Sequence, residues 1–164
     1  MFYEDVLRAL EANGVKYVLV GGTAVILHGV PRTTADLDLV PDLSADNLHR
    51  LIAALTAIGF QPRAPVPASQ LADPERRAEW IREKDLKAFS FHRPTRPLDA
   101  VDVLISVPIE YEALSANCET LDAGGLPIRI ASIADLMVLK RHAGRPQDLS
   151  DIDALERLQE STRG

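Results

Sequence analysis

Asp36 and Asp38 stand two residues apart inside an apolar run, Asp36-Leu37-Asp38-Leu39-Val40. A strand points residues i and i+2 to one face, so the two carboxylates share a side and Leu37 and Leu39 take the other. Like charges held that close repel unless positive charge lies between them. A hard divalent ion is the natural partner, and Mg²⁺ characteristically takes one or two carboxylates together with substrate phosphates. Upstream lies Gly21-Gly22-Thr23, after an apolar run and before a short helical one. Glycine lets a backbone approach a ligand closely, and N–H groups at a helix start, with the Thr23 hydroxyl, suit an anion. A phosphate cradle joined by a short helix to a metal-binding carboxylate pair points to Mg-nucleotide chemistry. Neither G-x-G-x-x-G nor Gly-Lys-Ser/Thr is present.

These groups must be positioned by strands and helices. Val6, Leu7 and Leu10 at helical spacing predict a helix over 3–13, stopped by Asn13-Gly14. A strand follows over 16–20, the chain turns at the glycine pair, and a helix over 23–28 ends before Pro31. The carboxylate strand spans 35–40. Ser44 caps a helix to 58 with Leu48, Leu51, Ile52 and Leu55 as its apolar face, and Gly59 stops it. Pro62, Pro65 and Pro67 make 61–70 an extended loop, beginning as a short strand at 60–63. Asp73-Pro74 opens a helix to 83. Strands over 86–91 and 98–106 flank a turn at 93–97, forming an antiparallel pair. A short helix spans 109–116. A hairpin turns at Asp122-Ala123-Gly124-Gly125, with 120–121 and 126–130 as its arms. Ser132 and Asp135 form a variant capping box for a helix to 142. Gly144 and Pro146 interrupt it, and a last helix runs over 149–158. The pattern is an α+β domain over 1–164, a small mixed sheet flanked by helices, with a C-terminal helical part at about 132–160.

Composition is ordinary for a soluble globular chain, at 46% hydrophobic and 26% charged residues. No window has the apolar length of a membrane span, and the acidic N-terminus is unlike a signal peptide. The lone Cys118 forms no internal disulfide, and cytoplasmic location is the default expectation. The four histidines show no zinc-ligand spacing. A net charge of −6 argues against nucleic-acid binding by the whole surface. Arg76, Arg77, Arg82, Lys84, Lys87, Arg93 and Arg96 offer a local basic segment. Interleaved Glu75, Glu79, Glu83 and Asp85 equally describe a solvated helical face.

The stretch GGTAVILHGVPRTTADLDL resembles the core motif of the nucleotidyltransferase (polymerase-beta-like) superfamily: a glycine pair, a short helix, and Asp-x-Asp on the next strand. It is similar in particular to the branch containing abortive-infection-type toxin nucleotidyltransferases and small uncharacterised relatives, as is LKRHAGRPQDLSDIDAL at 139–155. Two departures stand out. Thr23 replaces the usual serine, and Gln147, one residue before Asp148, stands where relatives often carry lysine. The resemblance implies the nucleotidyltransferase fold and transfer of a nucleoside monophosphate from an NTP onto a hydroxyl. The acceptor it suggests is a tRNA 3′ end, a protein or a small molecule. It also suggests a setting in a toxin–antitoxin pair, with an antitoxin partner.

Two metal ions, Mg²⁺ or Mn²⁺, would stabilise the entering and leaving oxygens of such a transfer, and two carboxylates are thin for two ions. Asp102, the charged residue in Val101-Asp102-Val103-Leu104-Ile105, is the expected third; Asp99, three back, faces the other way. Asp36, Asp38 and Asp102 are thus the expected metal and catalytic residues, with Asp102 also helping to activate the hydroxyl. Gly21, Gly22 and Thr23 are expected to hold the triphosphate. Arg32 and Lys140, with Arg145, suit phosphate equally with surface or helix-dipole pairing. Asp148 and Asp151 read as caps, His28 as a helix-end packing residue, and Trp80 and Phe89 as core residues before base-stacking ones. Two rivals remain at this level: a catalytically inactive nucleotide- or metal-binding module, and a phosphohydrolase using water. A position for Asp102 far from Asp36 and Asp38 would favour the first.

Overall fold

Seven strands form one mixed sheet in the order β3-β4-β5-β2-β1-β7-β6, in a computed structural model that describes residues 3–164. The two strands expected to carry the site lie side by side in its middle. Strand β1 (Tyr17–Val20) pairs antiparallel with β2 (Asp36–Pro41), and β2 pairs parallel with β5 (Arg96–Leu104). Beyond β5 the sheet continues through β4 (Ala88–Arg93) to the two-residue β3 (Gln61–Pro62), both antiparallel. On the other side β7 (Leu126–Ile130) runs parallel to β1 and carries β6 (Glu119–Ala123) at the edge.

All four residues of β1 are buried, as befits a strand covered on both faces. Helices α1 (Glu4–Ala12) and α3 (Ala45–Ala57) pack on each other, and α2 (Gly21–Leu27) lies on β1 and β2. Helix α4 (Pro74–Lys84) follows a 3-10 turn at Ala68–Ala72, and α5 (Tyr111–Asn117) lies against β1. The last helices, α6 (Ile133–Ala143) and α7 (Pro146–Arg163), pack together, with α6 also meeting α2. Buried residues from α1, α3, the central strands and α6 join one core. The Ser44, Asp73 and Ser132 side chains cap their helices, accepting from the backbone N–H of Asn47, Glu75 and Asp135, but the reciprocal half of the box expected at Ser132 is not made and Asp135 Oδ2 is left without a hydrogen bond.

Element types match the sequence reading, with shifted ends. Helix α2 starts at Gly21, so the glycines form its first turn where a separate turn was expected. Strand β4 ends at Arg93 and β5 starts at Arg96, so the turn between them is shorter than expected. Helix α7 starts at Pro146, where proline's missing N–H costs nothing. The 3-10 turn begins directly after Pro67, takes the last three residues of the segment read as an extended loop, and buries Leu71.

Tyr3 joins α1 to the site strands. Its hydroxyl sits between the carbonyls of Ala35, just before β2, and Ala100, midway along β5, and accepts from the Ala100 amide at 3.4 Å. Burial, reinforced by the negative charge of Asp36, Asp99 and Asp102, pushes its pKa up to about 12, so it remains a donor. Cations of the basic segment stand beside carboxylates of the chain, several of them in exposed pairs, and Lys87 also lines the cavity described below. Arg76 pairs with Glu79 at 3.3 Å, Lys87 with Asp85 at 3.7 Å and Arg93 with Asp5 at 2.7 Å. Arg77 is buried and donates to the Leu71 carbonyl at 2.7 Å. Trp80 and Phe89 stack on each other in the core, with centroids 5.4 Å apart.

Candidate active site

Register brings the expected carboxylates together. Asp38 and Asp102 are direct partners across the parallel β2–β5 pair, and Asp36 is two residues back on the same face of β2. Adjacent strands lie roughly 4.8 Å apart, so the three side chains open onto one cavity of about 620 Å³. Their charges feel one another. Burial, then Asp102 and Asp36, raise Asp38 to about 7, and burial with Asp102 also raises Asp36.

Gly21 explains how Asp38 fits. Strand pairing sets Val20 opposite Asp38, so the next residue lies against its carboxylate. A Cβ on Gly21 would fall 1.9 Å from Asp38 Oδ2, and φ there is +69°, where side chains are disfavoured. On Gly22 a Cβ would fall 2.9 Å from Thr34 Oγ1 and 3.1 Å from the Arg32 guanidinium carbon. Both glycines line the cavity with the carboxylates. Gly21→Ala is expected to cost about 1–2 kcal/mol in backbone strain. It should also cost activity by displacing Asp38. Chemical denaturation and turnover, measured on one preparation, check both; a variant of wild-type activity would show that the glycine leaves the carboxylate free.

Three cations also line the cavity, Lys140 from α6, Arg145 from the break before α7 and Arg32 from the segment after α2, and each is paired with an aspartate of α7. The Lys140 side chain is 7% exposed; its Nζ lies 2.7 Å from Asp151 Oδ2 and 3.4 Å from Asp148 Oδ1. Arg32 Nη1 reaches the same Asp151 oxygen at 2.5 Å. Gln147 Nε2 donates to Asp151 Oδ1 at 3.1 Å. Arg145 Nε holds Asp148 at 2.7 Å, and this contact raises the arginine's own pKa. Burial alone would raise Asp148, but hydrogen bonds from Arg145 and the charge of Lys140 bring it below the usual carboxylate range. Arg32, Lys140 and Arg145 all line the carboxylates' cavity.

Thr23 is placed elsewhere. With the helix starting two residues early, its side chain is buried and its hydroxyl donates to the Asp36 carbonyl at 3.2 Å. Thr34 lines the cavity instead. His28 packs at the end of α2, with Nε2 2.8 Å from the Ala131 carbonyl. Asp148 is part of a capping box with Arg145, as expected of a cap, yet Asp148 and Asp151 also hold cavity cations. Ser90 was not anticipated. It is the β4 partner of Asp102, and its Oγ donates to Asp102 Oδ1 at 2.6 Å. The predicted strand over 86–91 contains Ser90, but only the register names its partner.

Among the described residues, no three carboxylate, histidine or cysteine groups form a closed cage for an ion. The donor set still fits Mg²⁺, which needs one or two carboxylates once substrate phosphates and water complete its shell. A mutually repelling trio, with Asp38 raised to about 7, is the environment a divalent ion would relieve.

The family model described as nucleotidyltransferase of unknown function (DUF6036) matches residues 4–161. No curated protein matches the chain by sequence. Similar solved structures include the lincomycin-bound lincosamide antibiotic adenylyltransferase LnuA, 17% identical, covering 96% of this chain and 94% of that one with a TM-score of 0.62. Another is ANT(2")-Ia in complex with adenylyl-2"-tobramycin, 15% identical, covering 99% and 95%, with a TM-score of 0.57. An antigenic nucleotidyltransferase-like protein from Paracoccidioides brasiliensis is 19% identical over 93% of this chain and 72% of that one, with a TM-score of 0.53. At these identities the likeness is one of fold.

Proposed function

The chain belongs to the DUF6036 family of nucleotidyltransferases of unknown function, and from that premise we propose that it transfers a nucleoside monophosphate from a Mg²⁺-bound NTP onto a hydroxyl acceptor. Mn²⁺ serves in the same place. The observation that carries the reading is the register of Asp38 with Asp102, in one cavity with Gly21, Gly22, Arg32, Lys140 and Arg145.

Asp36 and Asp38 hold the metal, and Asp102 completes the set. Bound divalent ions supply charge stabilisation for the entering and leaving oxygens. The glycines leave room for the phosphates, and the three cations neutralise the triphosphate. Ser90 engages one oxygen of Asp102, which leaves the other to take the acceptor's proton. The hydroxyl oxygen bonds to the α-phosphorus as the bond to the β-phosphate oxygen breaks. Pyrophosphate leaves with that electron pair, beside Lys140 and Arg145. Thr23 serves indirectly, by fixing the Asp36 backbone.

An inactive binding module would gain from an Asp102 remote from the pair, and the register speaks against it. A tRNA acceptor needs a basic face, and the most basic segment interleaves its cations with Glu75, Glu79, Glu83 and Asp85 and buries Arg77. We therefore favour a small acceptor. LnuA and ANT(2")-Ia, described with lincomycin and with adenylyl-2"-tobramycin, show that the fold accommodates small compounds. The toxin–antitoxin setting is supported by the sequence resemblance, and a cytoplasmic one by the unpaired Cys118. Residues 1–164 act as one domain, with the part after 132 supplying Lys140 and Arg145.

Thermal melts with each NTP, with Mg²⁺ or with EDTA, test the reading. A ligand at a hundred times its dissociation constant stabilises by about 2.7 kcal/mol, or about 5–11 °C for a domain of this size. The shift should require Mg²⁺, and α-labelled phosphate should then appear on an acceptor with pyrophosphate released. Free orthophosphate without label transfer would support the hydrolase instead. No shift with any NTP would sink the nucleotide site.

A further inference from the structure

Asp36 is the least supported of the three carboxylates. It is the first residue of β2 and the most exposed of them. Among the described residues its carboxylate has no hydrogen-bond or ion-pair partner, whereas Asp102 has Ser90 and Asp38 lies against Gly21. Asp102 repels it as well. The direction of its side chain is therefore set from the backbone.

Peptide groups are planar, so holding the two that flank a residue fixes where its side chain starts. Both are held at Asp36. The peptide after it is gripped at its carbonyl by the Thr23 hydroxyl, at 3.2 Å. The peptide before it carries the Ala35 carbonyl, which accepts from the Tyr3 hydroxyl. Tyr3 also reaches β5: its oxygen lies 3.0 Å from the Ala100 carbonyl and accepts from the Ala100 N–H at 3.4 Å. Ala100 is the register partner of Asp36, and that rung is the first of the β2–β5 ladder; Asp38 and Asp102 form the rung two residues on. The hydroxyl thus stands where the ladder opens, at a strand end that would otherwise be free to fray. Tyr3 itself is 4% exposed and its ring belongs to the core. It is not one of the residues lining the cavity.

We propose that Tyr3 is a positioning residue of the metal site: by tying the Ala35–Asp36 peptide to Ala100, it keeps the Asp36 carboxylate aimed with those of Asp38 and Asp102 for a divalent ion. It touches neither ion nor substrate. The inference rests on the metal-dependent transfer proposed above and adds a group, remote in sequence from the motif, that sets the affinity for the metal.

Tyr3→Phe removes the hydroxyl and keeps the ring. Leu7→Val, a core change on the same helix, is the control for lost stability alone. Mn²⁺ binding to each full chain is read without nucleotide, by loss of the free-ion EPR signal, and again as the Mn²⁺ needed for the NTP thermal shift. Urea titration gives the stability of each. Tyr3→Phe should raise the Mn²⁺ dissociation constant about tenfold, the lower end of what orienting partners of metal ligands usually cost. The thermal shift should need correspondingly more Mn²⁺. Leu7→Val should lose stability and leave both readings unchanged. A Tyr3→Phe chain that binds Mn²⁺ as wild type does, or no worse than Leu7→Val, would overturn the role of Tyr3 and leave the transfer reading standing. Wild-type protein that binds Mn²⁺ neither alone nor with any NTP would overturn the metal site, the transfer reading and the role of Tyr3 together.

Discussion

Asp38→Asn should abolish turnover and at the same time stabilise the metal-free protein. The first effect follows from the role of the carboxylate. Metal-supplied charge stabilisation is worth several kcal/mol in the transition state, and each 1.36 kcal/mol is tenfold in rate. A loss of about 10³-fold or more is expected. The second follows from the raised pKa, about 7 in the folded chain against a reference of 3.8. Between those values the folded state binds the proton that the unfolded state has released. Stability therefore falls as pH rises from about 4 to about 7, and stays reduced above that. Three pKa units correspond to about 4 kcal/mol at most, and relaxation of a partly hydrated cluster brings the expected cost to about 2–4 kcal/mol. Asparagine never pays it. In EDTA the variant should match wild type near pH 4, exceed it at pH 8, and lose this part of the pH dependence. Urea titrations at the two pH values, beside a label-transfer assay, decide the matter. An active variant would remove Asp38 from the metal site; a variant no more stable than wild type at pH 8 would mean that the carboxylates are already relieved by solvent.

Lys140→Met carries the second large effect. The ammonium is buried against two carboxylates that are themselves 2–3% exposed. Breaking a buried pair by removing one partner costs about 3–5 kcal/mol, because the other charge stays behind. Arg32 still reaches Asp151 and Arg145 still holds Asp148, so about 3 kcal/mol is expected, or about 6–12 °C in Tm. The charge facing the triphosphate also goes, so KM for the NTP should rise. The Lys140→Met/Asp151→Asn double variant should recover part of the stability but none of the nucleotide affinity. That split distinguishes a cation that holds the fold from one that also binds phosphate. If the double variant bound NTP as wild type does, Lys140 would be structural alone.

Much of this site could be read before any strand was paired. Asp36 and Asp38 announce themselves by alternation in an apolar strand, and Asp102 by being the charged residue in another. Their meeting could not be read, because register between β2 and β5 depends on the whole sheet and not on either strand. Thr23 was misplaced for a local reason. Whether a helix begins at Gly21 or at Thr23 changes which side the hydroxyl faces, and two glycines carry little propensity to decide it. Asp148 and Asp151 looked like caps because their spacing permits it. Their hold on Lys140 and Arg32 depends on α7 packing against α6, and a short sequence window has no view of that.

The parallel pairing of β2 with β5 also bears on how the chain acquires its activity. Strand β1 reaches β2 through a short helix, whereas β2 meets β5 only after α3, α4 and the β4 strand have been made. Closing so long a loop is entropically costly and kinetically slow. During synthesis the ribosome releases Gly21, Asp36 and Asp38 long before Asp102, and Lys140 and Arg145 later still. A nascent or truncated chain ending before β5 therefore holds the recognisable motif without Asp102, and on the proposed mechanism it should be silent until the sheet has closed.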